Sequence, residues 1–95
     1  MKLLLDIDDT LIDSNEKLHP RAFYLFNHFD VTLYSASQDI EKWANKFNVA
    51  FISKHDQVKP KADVLIDDDP YFQKMVDVKL YCSSIDEFLN NMAQW

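Results

Sequence analysis

Two short runs of carboxylates carry the chemistry that this sequence can do. Asp6, Asp8 and Asp9 follow the apolar stretch Leu3–Leu5, and Asp67, Asp68 and Asp69 follow Val64–Ile66. Acids crowded together repel: two unit charges about 5 Å apart cost about 3 kcal/mol at an effective dielectric of ~20. A whole domain is stable by only ~5–15 kcal/mol. A hard divalent cation relieves that repulsion, and a few carboxylates completed by water suit Mg²⁺. A magnesium site is therefore expected where the two runs meet.

They meet only if the fold brings them together. Leu3–Leu5 with Ile7 reads as a buried strand, Val31–Tyr34 as a second, Val49–Ile52 as a third, Val64–Ile66 as a fourth and Val76–Tyr81 as a fifth. Helical spacing links them: Ala22, Leu25, Phe26 and Phe29 after Pro20, then Ile40, Trp43, Ala44 and Phe47 after a possible N-cap at Ser37. Asp69-Pro70 reads as a cap and first residue of a short helix to about Met75. Ser84 to Glu87 is a capping box opening a last helix, with Ile85, Phe88, Leu89 and Met92 on its apolar face. Apolar strands alternating with helices predict one α/β domain over residues 1–95, a three-layer, Rossmann-like fold. Its five-stranded parallel sheet is covered on both faces. With strand order 5-4-1-2-3, both acidic runs fall at neighbouring carboxyl ends, roughly 4.8 Å apart. That rim, at the switch point in strand order, is where open α/β sheets bind ligands.

Composition excludes several alternatives. Ten basic residues against sixteen acidic ones give a net charge of −6, which argues against binding a nucleic-acid backbone. The chain has no glycine, so neither the P-loop nor the dinucleotide fingerprint is present. Turns must use Asn, Asp, Ser and Pro. No apolar run is long enough for a membrane span or a signal h-region. Cys82 is the only cysteine, so no internal disulfide forms. A cytoplasmic protein with no membrane partner is the expectation.

The run Leu3–Leu11, LLLDIDDTL, resembles the first motif of the haloacid-dehalogenase (HAD) superfamily, an apolar strand followed by D-x-D-x-T/V-L/I. Further motifs of that family can be placed in order: the apolar strand ending at Ser35, a lysine before the fourth strand, and the paired acids Asp67 and Asp68. The resemblance spans nearly the whole chain and implies a phosphatase with a HAD-like fold. In that reading Asp6 is the nucleophile that forms an aspartyl-phosphate. Asp8 is the general acid and then base. Thr10, Ser35 and Lys59 form the phosphate-binding set, Thr10 by positioning Asp8. Asp6, the Asp8 backbone carbonyl, Asp67 and Asp68 hold Mg²⁺. Lys54 and Lys61 are the other candidates for the lysine; Lys59 is preferred because it precedes Pro60, as the family lysine often does. A receiver domain also uses clustered acids, but its phosphoacceptor lies on strand three, which here carries no acid.

Several residues have plainer readings. Asp69 reads as a helix cap, and Asp9 and Asp13 only add negative potential. His19, His28 and His55 lack metal-ligand spacing, although His55 lies in a loop near the expected site. Cys82, Trp43 and the stripe of Phe23, Phe26 and Phe29 read as core. Nine residues between Thr10 and Pro20 leave no room for the cap domain that larger relatives carry, so the site should be open. The substrate expected is a phosphate ester, a small molecule such as a nucleotide by likeness to the core of 5′-deoxyribonucleotidases, or the phosphate of a macromolecule. The competing function is a non-catalytic, metal-binding regulatory domain.

Overall fold

Leu3, Leu4 and Leu5 are all buried completely, which requires cover on both faces of the strand that holds them. In the computed structural model, which describes residues 1–92, that strand, β1 (Lys2–Leu5), lies at the centre of a five-stranded sheet. The others are β2 (Asp30–Ser35), β3 (Ala50–Ser53), β4 (Val64–Ile66) and β5 (Leu80–Cys82). All pairings are parallel and the order is β3-β2-β1-β4-β5, the order expected from the sequence. The register sets Leu5 beside Leu33 on one side and Ile66 on the other. Asp6 and Asp67 are thus each the first residue past neighbouring strands.

The two faces are covered unequally. Leu3, Leu5, Val31, Leu33, Val64 and Ile66 point to one side, where they meet Ala22 and Leu25 of α1 (Ala22–His28), Ile40, Trp43 and Ala44 of α2 (Ile40–Phe47), and Ile85, Phe88 and Leu89 of α3 (Ile85–Met92). Leu4, Tyr34 and Leu65 point to the other side. There they meet Val76, with Ile52, Ala62, Phe72, Val78 and Tyr81 partly buried around them. No α-helix lies on that face among the described residues; its cover is a 3₁₀ helix (Pro70–Met75) and the connection leading from β3 to β4. The sheet is thus covered on both faces, as expected, with the α-helices on one and the 3₁₀ helix on the other. Right-handed crossovers explain the sides: steps from β1 to β2 to β3 put helices on one face, and the return to β4 and β5 uses the opposite one.

Local differences from the expected elements have identifiable causes. β5 begins at Leu80 rather than Val76, because Asp77 N–H donates to Pro60 O at 2.8 Å and Lys79 N–H to Asp63 O at 3.1 Å. Those amides are committed to the preceding connection and not to β4. α1 begins at Ala22, two residues after Pro20, since Ala22 N–H closes a turn onto His19 O at 3.0 Å. Ser37 does not cap α2; its Oγ accepts from Asp39 N–H at 3.1 Å, and the helix starts after Asp39. Phe23 is 59% exposed, not core. It lies one residue, about 100°, off the buried Ala22–Leu25 stripe, and meets Phe47 in a T-shaped contact at 5.9 Å. The last helix is capped as expected at Ser84, whose Oγ accepts from Glu87 N–H at 3.0 Å. Glu87 reaches back to Ser83, one residue earlier than a strict capping box requires.

Without glycine, the chain uses other residues where φ must be positive: Asp9 (61°), Glu16 (58°) and Asn48 (55°). Asn48 ends α2 in the left-handed region while Val49 N–H returns to Ala44 O at 3.0 Å. This is the closure that usually employs glycine. Asn48→Ala is expected to lower stability by about 1 kcal/mol, and Asn48→Gly to be neutral or slightly stabilising. Thermal melts of the two variants check this.

Candidate functional site

Each residue of the site is placed by a strand tip. Asp6 N–H donates to Ile66 O at 2.9 Å and Asp67 N–H to Cys82 O at 3.0 Å, so the sheet ladder continues one residue beyond β1 and β4. On the other side Lys54 N–H donates to Ser35 O at 2.9 Å, making Lys54 the first residue beyond β3. Its side chain reaches back over β2 toward β1 and β4. The Lys54 ammonium lies 3.1 Å from Asp6 Oδ1 and 2.7 Å from Asp67 Oδ2. Asp6, Asp67 and the lysine are nearly closed to water, with side chains 8%, 0% and 6% exposed.

Thr10 ties the two acidic runs together from the other side. Its Oγ1 is 3.2 Å from Asp6 Oδ2 and 3.3 Å from Asp68 Oδ1, and it accepts from Asp68 N–H at 3.3 Å. A hydroxyl has one proton to give, so the two carboxylates share a single donor there. Asp67 is oriented further by Asp69 N–H, which donates to its Oδ1 at 3.0 Å, and its carbonyl accepts from Tyr81 O–H at 2.6 Å. Asp69 caps the 3₁₀ helix, accepting from Tyr71 N–H at 3.0 Å. Ser35 is buried, accepts from Ser37 N–H at 3.0 Å, and keeps its own O–H to donate. These groups line an open cleft of about 240 Å³ with Asp6, Asp8, Asp9, Ser35, Ala36, Lys54, Asp67, Asp68, Asp69 and Phe72 at its walls.

The charges are unbalanced. Burial, then the charge of Asp67, pushes the Asp6 carboxyl up to about 7 against the partial opposition of Lys54. Burial likewise raises Asp67, although Lys54 and the Asp69 amide pull it down. Burial alone would lower Lys54, but Asp67 and Asp6 more than reverse this and keep it an ammonium. Among the described residues, Asp67 Oδ2 has no partner other than the Lys54 ammonium, 2.7 Å away. Asp6, Asp67 and Asp68 can each turn a carboxylate oxygen to within 4.8 Å of the others. One lysine and one hydroxyl do not satisfy three acids. The donor set is hard and all-oxygen, and a small divalent cation fits it.

Asp6, Asp8, Ser35, Asp67 and Asp68 thus gather at one rim, as the sequence led one to expect. Two assignments change. Lys54 occupies the place expected of Lys59, which is exposed on the connection to β4. By Pro60 that connection is paired with Asp77, and Asp63 N–H bonds Lys2 O at the amino end of the sheet. Lys61 bridges to Asp77 in the same region. Thr10 engages Asp6 and Asp68 and makes no hydrogen bond to Asp8. The signal for Lys54 was available: it directly follows a parallel strand, the criterion that located Asp6 and Asp67. Phe72 gave no sequence signal, yet its ring lies 3.8 Å from the Lys54 nitrogen.

Comparison with family models, with curated proteins and with solved structures found no match.

Three expected outcomes test this charge arrangement in the metal-free protein. A carboxyl raised from 3.8 to about 7 in the folded state favours folding while protonated. Its contribution is complete below pH 3.8 and is lost as pH rises through about 7. Asp67 acts in the same sense. Asp86, slightly desolvated but held more strongly by Arg21 and His19, and Glu87, held by Ser83, are shifted downward. Their contributions are lost only on the acid side of 3.8 and 4.5. Stability in chelator should therefore fall between about pH 5 and 8. Lys54→Ala should cost about 3 kcal/mol at pH 8 by leaving two buried acids without their cation. Lys59→Ala should stay within about 0.5 kcal/mol of the parent. Urea titrations across the pH range read all three.

Proposed function

We propose that the protein is a magnesium-dependent phosphomonoester hydrolase in which Asp6 takes the phosphoryl group from substrate. The observation that carries this reading is the convergence of Asp6, Asp67 and Asp68 at one rim of the sheet, with Lys54 paired to the first two. The likeness of Leu3–Leu11 to the first HAD motif supports it. So does the open cleft that Asp6, Asp8, Ser35 and Lys54 share.

In this reading a carboxylate oxygen of Asp6 attacks phosphorus in line, and the bond from phosphorus to the ester oxygen breaks. Asp8 gives its proton to that departing oxygen, then takes one from the water that cleaves the aspartyl-phosphate and frees inorganic phosphate. Ser35 O–H and the Lys54 ammonium bind phosphoryl oxygens, and Thr10 holds Asp6 and Asp68 in place. Asp6, Asp67, Asp68 and the Asp8 carbonyl would hold Mg²⁺, which when bound would neutralise negative charge at the site. Asp6 must be ionised to attack. Lys54 and the cation both favour that form.

The leaving group departs on the side of Asp8. The adjoining trough is lined by Asp8, Asp9, Asp13, Glu16 and Asp39 together with Ile12, Ser14, Ser37 and Trp43. A leaving group with a second phosphate would enter against this row of acids, so the preferred substrate is the monoester of a neutral or cationic alcohol. No cap covers the cleft among the described residues.

With saturating Mg²⁺, hydrolysis of p-nitrophenyl phosphate should be measurable and abolished by EDTA. Asp6→Asn should reduce kcat at least about 10³-fold with the fold intact by circular dichroism. Near-normal turnover in that variant would refute the nucleophile assignment. Tight Mg²⁺ binding without turnover of any phosphoester would instead identify a metal-binding regulatory domain. Across a substrate panel, monoesters of neutral alcohols should exceed bisphosphates in kcat/KM by about tenfold or more.

A further inference from the structure

We infer that Phe72 is a positioning residue, whose aromatic face holds the Lys54 ammonium between Asp6 and Asp67. The inference rests on the phosphatase reading for its consequence in turnover, but on geometry alone for the contact. The Lys54 nitrogen lies 3.8 Å from the centroid of the Phe72 ring and 5.5 Å from that of Tyr34. An ammonium has three protons to place. Asp6 and Asp67 take two directions, and the aromatic faces close off a further side that water would otherwise fill. A cation over the face of a ring is attracted by its quadrupole, most strongly where both are desolvated. The Lys54 side chain is only 6% exposed.

The ring is held in orientation from two sides. Tyr34 meets it edge-on at 6.3 Å and 88°, and Tyr71 at 5.3 Å and 88°. Its backbone is fixed as well, since Phe72 N–H closes the first turn of the 3₁₀ helix onto Asp69 O at 3.4 Å. One short segment therefore supplies Asp67 and Asp68 and, a few residues on, the surface that keeps their counter-ion in reach. Lysine is a flexible arm, and this one crosses β2 from an edge strand. Without the ring, the ammonium could swing toward solvent or settle on one acid and leave the other.

Replacing the ring by an aliphatic side chain removes the π face while keeping an apolar filler. Phe72→Leu should lower kcat about ten- to thirtyfold with KM changed less than about threefold. Phe72→Tyr should restore kcat to near the parent value. Wild-type kcat in Phe72→Leu, or failure of Phe72→Tyr to rescue a folded protein, would overturn the inference. A spectroscopic measurement separates it from the phosphatase reading. Ring current should shift the Lys54 Hε resonances upfield in the parent and in Phe72→Tyr, and not in Phe72→Leu. If the parent proves inactive on every phosphoester, the proposed function fails, and this shift alone decides the positioning role: its loss in Phe72→Leu supports the contact, and its persistence overturns it.

Discussion

Three ionisable side chains, Asp6, Asp67 and Lys54, lie largely out of water at the carboxyl rim of the sheet. Among the described residues, no other cluster buries so much charge in so little space. Removing charge from water is expensive and is tolerated only where partners and hydrogen bonds are well placed. The sheet does that placing. Because the ladder continues through Asp6 and Asp67, the two carboxylates stand side by side with no freedom to separate. Their repulsion is therefore a property of the fold, and the lysine and the shared threonine hydroxyl offset part of it.

The same constraint explains why the interior is so uniformly apolar. Leu3, Leu4, Leu5, Leu33, Leu65 and Ile66 are all completely buried, and together they form an apolar floor under the site. A site on such a floor can hold carboxylates close because the strands beneath them cannot relax apart. Loops alone would not fix this geometry, since residues such as Asp8 and Asp9 at the loop start are exposed.

Much of this was legible in the sequence, and the reasons are physical. The central strands β1 and β4 announce themselves as unbroken apolar runs because a strand buried on both faces has no polar positions to show. The acids after them mark the rim directly. Elements on the thin face were harder to read. Val76–Lys79 has the composition of a strand but spends its amides on the preceding connection, a long-range choice that local pattern does not encode. Lys59 was favoured by its neighbour Pro60, whereas a lysine acts from wherever its arm can reach. The strand-end rule, extended to β3, points to Lys54. Phe72 belongs to a two-aromatic sequence on a short 3₁₀ turn, and nothing in residue type distinguishes its ring from the exposed one of Tyr71 beside it.

The unequal covering of the sheet has a mechanical consequence. On the helical side the packing runs from the sheet out to Ile12 and Trp43 beside the trough. On the other side, the segments that shield Leu4 and Leu65 from solvent are continuous with those that carry Lys54 and the second acidic run. Shield and machinery are there one piece of chain. Any loosening that wets the underside of the sheet must also disturb the ammonium and the carboxylates, so the interior cannot be breached from that direction while the site stays intact.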